Sequence, residues 1–290
     1  MAAPIHGGLR MTRENSLLEV NNVRVAFGST GFRKSPNEVL HGVSLDVREG
    51  ETMGLVGESG SGKTTIGRAI LGLAPVSGGE ILFQGKRIDN LSARHRRSLS
   101  RDIQVVFQDP YTSLNPAISI GDTLSEPLLA QGYTSRDAKR RVGQLLDRVS
   151  LPADALERLP REFSGGQRQR VAIARALAIS PKLIVCDEAV SALDLTTQRT
   201  VLELLLEIQE QTGVSYLFIS HDLAVVRYMS HRISVIYRGD IVETGTAREV
   251  TDNPQNPYTR KLLLSAPIAQ PAEQAARRAA YEREFASTPR

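Results

Sequence analysis

The chain has 290 residues, of which 41% are apolar, and its formal net charge at pH 7 is +4. This length accommodates one large domain or two small ones, and the mild positive charge is interpreted as a diffuse surface property rather than a nucleic-acid site. The single cysteine, Cys186, excludes a disulfide framework or a cysteine-ligated cluster within the chain. No apolar run is long enough to predict a membrane-spanning helix.

The first part of the chain predicts three strands. Residues 1–16 lack the apolar stretch of a signal peptide and are predicted to be disordered, with both Met1 and Met11 open as the start. Apolar residues then alternate over 17–27, which predicts a strand. Two further strands are predicted, over 39–47 and 52–56.

The stretch that follows matches the phosphate-loop pattern G-x-x-x-x-G-K-[ST] without substitution. It consists of Gly57, Glu58, Ser59, Gly60, Ser61, Gly62, Lys63, Thr64 and Thr65. Its glycines allow a tight turn in which several backbone N–H groups point at one anion. Lys63 is expected to reach the β- and γ-phosphates of a nucleotide, and the Thr64 hydroxyl to bind Mg²⁺. A helix is predicted after the loop from the spacing of Ile66, Ala69, Ile70 and Leu73 up to Pro75.

The middle of the chain is predicted to be mostly helical. A short hairpin over 80–88 and a basic stretch over 92–101 come first, and the basic stretch is interpreted as a solvated helix face because no aromatic residues are interleaved for base stacking. A strand over 103–107 ends at Gln108. Helices are predicted over 120–130 and 135–149, within a helical block of about 109–161.

The second half returns to alternating helices and strands. Ser164 and Gln167 have capping-box spacing and open a helix that is predicted to run to about Ile179. The apolar run 183–186 predicts a parallel strand that is buried on both faces. A helix over 197–212, a buried strand over 215–219 and a hairpin over 233–243 follow, and the tail begins at Thr246.

Polar groups stand at the ends of three predicted strands, where open α/β sheets bind their ligands. Asp187 and Glu188 follow one strand, so that the Asp could assist Mg²⁺ while the neighbouring carboxylate polarises a water molecule. Gln108 could reach Mg²⁺ and water, and His221 could contact a γ-phosphate. Each residue alone has an ordinary structural explanation, but their joint occurrence in this order indicates a nucleotide hydrolase.

These motifs together resemble the ATPase subunits of ATP-binding-cassette (ABC) transporters over about residues 17–245. Residues 163–167 resemble the signature motif, which usually begins with Leu where this chain has Phe163, and 191–194 resemble the D-loop. In that family Gln108 corresponds to the Q-loop, His221 to the switch histidine, and Phe27 to an aromatic residue that stacks on adenine. Ala189 and Val190 depart from the usual Pro-Thr after the catalytic Glu, without expected loss of activity.

The resemblance implies a fold, cofactors and a bipartite site. The fold is α/β, with a P-loop NTPase (RecA-like) core, an antiparallel β subdomain and an inserted α-helical subdomain at about 109–161. The implied cofactors are ATP and Mg²⁺, the latter held by Thr64, Gln108 and Asp187, and the catalytic residues are Glu188, His221 and Gln108. Two cassettes are expected to close head to tail, so that the signature of one faces the γ-phosphate held by the other. The signature residues concerned are Ser164, Gly165, Gly166 and Gln167.

Two further stretches resemble the oligopeptide, dipeptide and nickel importers. They are the run 108–116 and the tail 246–290, which carries Asn256-Pro257-Tyr258-Thr259 but lacks the cysteine cluster of some relatives. The resemblance implies a peripheral subunit on the cytoplasmic face of the membrane. Its implied partners are a second ATPase subunit, permease subunits and, indirectly, an extracytoplasmic solute-binding protein. Nucleic acid is not an expected partner. A soluble cassette of a phosphonate-degrading complex and a nucleic-acid-handling cassette are the alternatives. The solute, the identity of the second cassette and the role of the tail stay open.

Overall fold

A computed structural model of the chain describes residues 15–28, 36–109 and 114–265. Disorder is predicted for residues 1–16, and of these only the last two are among the residues that the structure describes. The alternative start at Met11 and the end of the tail after residue 265 also lie outside it.

A four-stranded antiparallel sheet forms from the first part of the chain, in the order β2-β1-β4-β5. Leu18, Val20 and Val25 of its first strand are fully buried, and an irregularity in the pairing between Val20 and Val23 shifts the alternation by one residue. Its strands are Ser16–Phe27 (β1), Asn37–Arg48 (β2), Gly78–Phe83 (β4) and Lys86–Arg87 (β5). The antiparallel β subdomain predicted from the sequence is confirmed.

The second sheet has six strands in the order β10-β9-β3-β8-β7-β6. Five of them run parallel, and β10 pairs antiparallel with β9 at one edge. Every residue of β3, β7 and β8 is buried, in agreement with their continuous apolar sequences. The strands are Thr52–Val56 (β3), Ile103–Phe107 (β6), Leu183–Asp187 (β7), Ser215–Ser220 (β8), Arg232–Tyr237 (β9) and Asp240–Thr246 (β10).

Helices alternate in sequence with most of the parallel strands, as in other α/β folds, and further helices are inserted in this arrangement or follow its last strand. They are Lys63–Ile70 (α1), Ala93–Leu99 (α2), Ile120–Ala130 (α3), Ser135–Arg148 (α4), Gly165–Leu177 (α5), Leu195–Thr212 (α6), Leu223–Met229 (α7), Ala247–Asp252 (α8) and Pro257–Ser265 (α9). Within the described ranges, no helix is both long and apolar enough to cross a membrane.

The helix after the phosphate loop is shorter than predicted. It ends at Ile70, and Leu73 lies beyond it with 64% of its surface exposed. Gly72 adopts a left-handed backbone with φ of +69°, which reverses the chain before Leu73 can join the apolar face. The assignment of Leu73 to the buried face of this helix was therefore wrong.

The helices α3 and α4 are inserted between β6 and α5, in the block for which the sequence predicted helices. Each begins with a side-chain cap, in which Ser119 and Thr134 accept hydrogen bonds from the backbone N–H groups of Asp122 and Asp137. Both helices pack against α5. The boundaries at residues 17, 109, 161 and 245 stay predictions.

Candidate active site

The phosphate loop connects the carboxyl end of β3 to the N-terminus of α1, as predicted. At its start Gly57 lies against β9, where a Cβ atom would stand 2.2 Å from the carbonyl oxygen of Ile236. At its end Gly62 is the N-cap residue of α1. The loop is therefore held close to the sheet, with the unpaired N–H groups of a helix N-terminus beside it.

Replacing Gly57 with Ala is expected to destabilise the protein by about 1–3 kcal/mol, since a backbone carbonyl must move to admit the methyl group. Gly143 is the matched control because it lies in the middle of α4, with open space at its Cβ position. Gly143→Ala should be neutral or stabilise by up to about 1 kcal/mol. Thermal unfolding of the two variants measures the difference, and equal melting temperatures would show that the loop does not need glycine here.

Lys63 is the buried cation of the site, with 4% of its surface exposed. Its ammonium group donates hydrogen bonds to the carbonyl oxygens of Gly57 at 2.8 Å and Glu58 at 2.9 Å. Burial lowers the pKa of Lys63, while the neighbouring carboxylates of Glu188 and Asp187 act in the opposite direction. The Lys63 side chain therefore folds back onto its own loop, and its positive charge lies beside the site at which the loop is expected to bind an anion.

Thr64 and Asp187 meet at the end of the sheet. The Thr64 hydroxyl donates to Oδ1 of Asp187 at 3.0 Å. Burial raises the pKa of Asp187, and the Thr64 hydrogen bond opposes that effect. A hydroxyl and a carboxylate beside the phosphate of a nucleotide are suitable ligands for Mg²⁺, which takes a few oxygen ligands from a protein and keeps several of its waters. The Ser61 hydroxyl is also buried in the loop and has no hydrogen-bond partner among the described residues, as expected of a group that meets a ligand.

Glu188 and His221 come from neighbouring strands and contact each other. Nδ1 of His221 lies 3.2 Å from Oε2 of Glu188, whose side chain is only 16% exposed. Glu188 has a left-handed backbone with φ of +51°, and its N–H donates to the carbonyl oxygen of Ile219 at 2.9 Å. A non-glycine residue in this conformation is uncommon and recurs at functional sites. The backbone turn aims the carboxylate at the imidazole.

Gln108 and Phe27 are exposed residues at the ends of strands that belong to different sheets. Gln108 directly follows Phe107, which pairs with Asp187 in the sheet, and its side chain is exposed. Phe27 ends β1 and is 43% exposed, so it is not a core residue. The Gln108 side chain is therefore accessible at the carboxyl end of the parallel strands, whereas the contact of Phe27 with a nucleotide stays a prediction.

The signature segment opens α5 with the predicted capping box. Ser164 Oγ accepts from the N–H of Gln167 at 3.3 Å, and Gln167 Oε1 accepts from the N–H of Ser164 at 2.9 Å. Gly166 lies against the Thr197 side chain, and Asp194 caps α6 beside it. Within the part of the chain that the structure describes, no hydrogen bond joins 164–167 to the phosphate loop.

Two contacts on the phosphate loop were missed by the sequence analysis. The N–H of Gly239 donates to the carbonyl oxygen of Ser61 at 2.9 Å, and the N–H of Glu58 donates to the Tyr258 hydroxyl at 3.0 Å. Tyr258 belongs to the Asn-Pro-Tyr-Thr stretch of the tail. That stretch was noticed as a subfamily pattern, but its sequence carries no sign of a contact with a loop 200 residues away.

Residues 40–191 match the family model described as ABC transporter. The chain belongs to the ABC transporter family. The cassette is 56% identical over 233 residues to the glutathione import ATP-binding protein GsiA of Escherichia coli, and 52% identical over 263 residues to GsiA of Shigella dysenteriae. These matches cover 80% and 89% of the cassette but only 37% and 42% of the relatives, so the chain spans less than half of their length. The predicted resemblance to the ATPase subunits of ABC transporters is confirmed, and the curated relatives named here are described as import ATP-binding proteins.

Solved structures agree with this assignment. The structure of cbiO1 from Clostridium perfringens, described as part of the ABC transporter complex cbiONQ, has a TM-score of 0.74 and 27% identity, and the match covers 83% of the cassette and 92% of that chain. The ATP-binding cassette MJ0796, described as a dimer in a post-hydrolysis state bound to ADP and Pi, has a TM-score of 0.71 and 28% identity, with 80% and 99% covered. The predicted P-loop NTPase fold of the cassette is thereby confirmed.

Proposed function

We propose that this cassette hydrolyses ATP to energise the import of a small peptide-type solute, such as glutathione, through a membrane permease. The observation that carries the proposal is the convergence of Lys63, the Thr64–Asp187 pair and the Glu188–His221 pair at one end of the parallel sheet. The identity with GsiA, whose name states glutathione import, supports the choice of solute.

The phosphate loop binds the triphosphate in this proposal. The N–H groups of residues 62–65 and the Lys63 ammonium surround the β- and γ-phosphates, and the Thr65 hydroxyl is available at the first turn of α1. Phe27 stacks on the adenine. Thr64, Asp187 and Gln108 hold Mg²⁺, which supplies positive charge that offsets the charge of the phosphates.

Glu188 acts as the general base. Its carboxylate accepts a proton from the attacking water, the water oxygen bonds to the γ-phosphorus, and the bond from that phosphorus to the bridging oxygen breaks to release ADP. The His221 imidazole fixes the orientation of the carboxylate through their contact at 3.2 Å and faces the γ-phosphate. The proton on Glu188 is then released to solvent, with ADP and phosphate as the products.

A second cassette completes the site. In this proposal the N-terminus of α5 offers the backbone N–H groups of Gly165 and Gly166 to the nucleotide of a partner subunit rather than to the chain's own phosphate loop. In a head-to-tail pair, Ser164, Gly165, Gly166 and Gln167 of one subunit face the γ-phosphate held by the other, where helix N–H groups stabilise negative charge. The dimeric description of MJ0796 is consistent with such a pair.

A cleft beside β6 is the proposed contact with the permease. Its volume is about 500 Å³, and it lies between the sheet edge and the helices α3 and α5. Phe107 lines it and is 38% exposed, one residue before Gln108. A movement of the permease within this cleft would therefore be transmitted through Phe107 to Gln108 in the nucleotide site. The proposal puts the cassette on the cytoplasmic face of the membrane, with the solute-binding protein contacting only the permease and without a role for nucleic acid.

Co-purification tests this function. A tagged full chain, expressed in its native host, should bring down permease subunits, and vesicles that contain the complex should take up glutathione or a short peptide only with ATP. Recovery in a complex without membrane proteins, of the kind expected for phosphonate degradation, would contradict the proposal. Salt-sensitive DNA binding without transport would also contradict it.

A further inference from the structure

The tail returns to the nucleotide site because β10 fixes its direction. The carboxylate of Glu243 accepts hydrogen bonds from the N–H groups of Gln255 at 2.7 Å and Asn256 at 3.1 Å. The Asn256 side chain in turn accepts from the N–H of Tyr258 at 2.8 Å. These bonds specify where α9 begins and therefore where Tyr258 stands.

The ring of Tyr258 packs against the same hairpin that supports the phosphate loop. Its centroid lies 4.2 Å from that of Tyr237, the last residue of β9. Leu262 and Leu263, one turn further along α9, pack against the main hydrophobic core. The ring is therefore held in place from two sides, and burial raises the pKa of Tyr258, which keeps its hydroxyl neutral.

The Tyr258 hydroxyl binds Glu58, which is one of the two loop residues whose carbonyl oxygens accept hydrogen bonds from Lys63. It accepts the hydrogen bond from the N–H of Glu58, while the carbonyl oxygen of Glu58 accepts from the Lys63 ammonium. We propose that Tyr258 is a positioning residue for the phosphate loop, through which the C-terminal segment 254–265 sets the affinity of the cassette for ATP. This inference rests on the proposed function of the loop in binding ATP.

Tyr258→Phe tests the inference, because it keeps the ring on Tyr237 and removes only the hydroxyl. The bound phosphates are held by the loop in both ground and transition states, so the change should raise the Kd and KM for Mg-ATP by about fivefold, as for one lost hydrogen bond. The kcat value should change by less than about twofold. Hydrogen exchange at the Glu58 amide should become faster in the nucleotide-free full chain.

The control is Tyr228→Phe, which removes the hydroxyl of a tyrosine on α7 that is 52% exposed. It should leave ATP affinity and exchange at Glu58 unchanged. Wild-type affinity in Tyr258→Phe would overturn the inference, and so would a lower melting temperature without any change in Kd, since that result describes a purely structural residue. Failure of the wild-type chain to bind Mg-ATP would instead overturn the proposed function.

Discussion

Glu188→Gln is expected to lower steady-state ATP hydrolysis by about 10²-fold or more, the effect of losing a general base. The amide preserves the size of the side chain and can still contact His221, but it does not take a proton from water. ATP affinity should persist, because Lys63 and the backbone N–H groups of the loop are unchanged. Release of phosphate and binding of ATP, measured on the same preparation, separate the two effects.

Glu210→Gln is the matched control for this change. Glu210 is an exposed residue of α6. The control should hydrolyse ATP at the wild-type rate, which shows that neutralising one carboxylate elsewhere does not matter. A near-normal rate in Glu188→Gln would exclude Glu188 as the general base.

Lys63→Ala is expected to weaken ATP binding by about 10- to 100-fold, the range for losing hydrogen bonds to a charged group. The variant loses the buried positive charge, and the loop also loses the bonds to the carbonyl oxygens of Gly57 and Glu58. Its defect therefore lies in binding itself, unlike that of Glu188→Gln. Calorimetric titration with Mg-ATP measures it directly.

Lys86→Ala provides the comparison for Lys63. Lys86 is an exposed residue of β5 in the antiparallel sheet. Its loss should leave the ATP titration unchanged. If Lys63→Ala binds ATP as tightly as Lys86→Ala does, the placement of the phosphates at Lys63 is incorrect.

The elements that position the site could be predicted because their signals are local. A buried strand, a glycine-rich loop and a helix follow one another over 52–70, and the capping box at Ser164 spans only four residues. The error at Leu73 was also local in origin, since apolar spacing alone continued the helix past the left-handed Gly72. Hydrophobic periodicity identifies a helix more reliably than it identifies the residue at which the helix ends.

Contacts between distant segments could not be predicted in the same way. The sequence places Glu188 and His221 at strand ends, but their approach to 3.2 Å depends on the order of β7 and β8 in the sheet and on the left-handed turn at Glu188. The contact of Tyr258 with Glu58 depends on the path of the tail, which Glu243 directs. The spacing of apolar residues determines neither the order of the strands in a sheet nor the path of the tail.

The shared site is the central claim, and sedimentation of the Glu188→Gln chain with Mg-ATP tests it most directly. We expect a dimer with ATP, alone or with the cassette that co-purifies with it, and separated subunits with ADP. Adding Ser164→Arg should abolish the dimer but not ATP binding, because the bulk and charge enter the interface away from the chain's own phosphate loop. Ser98→Arg, on the exposed side of α2, should leave the dimer intact. ATP-bound Glu188→Gln that stays monomeric even beside its partner cassette would contradict the account.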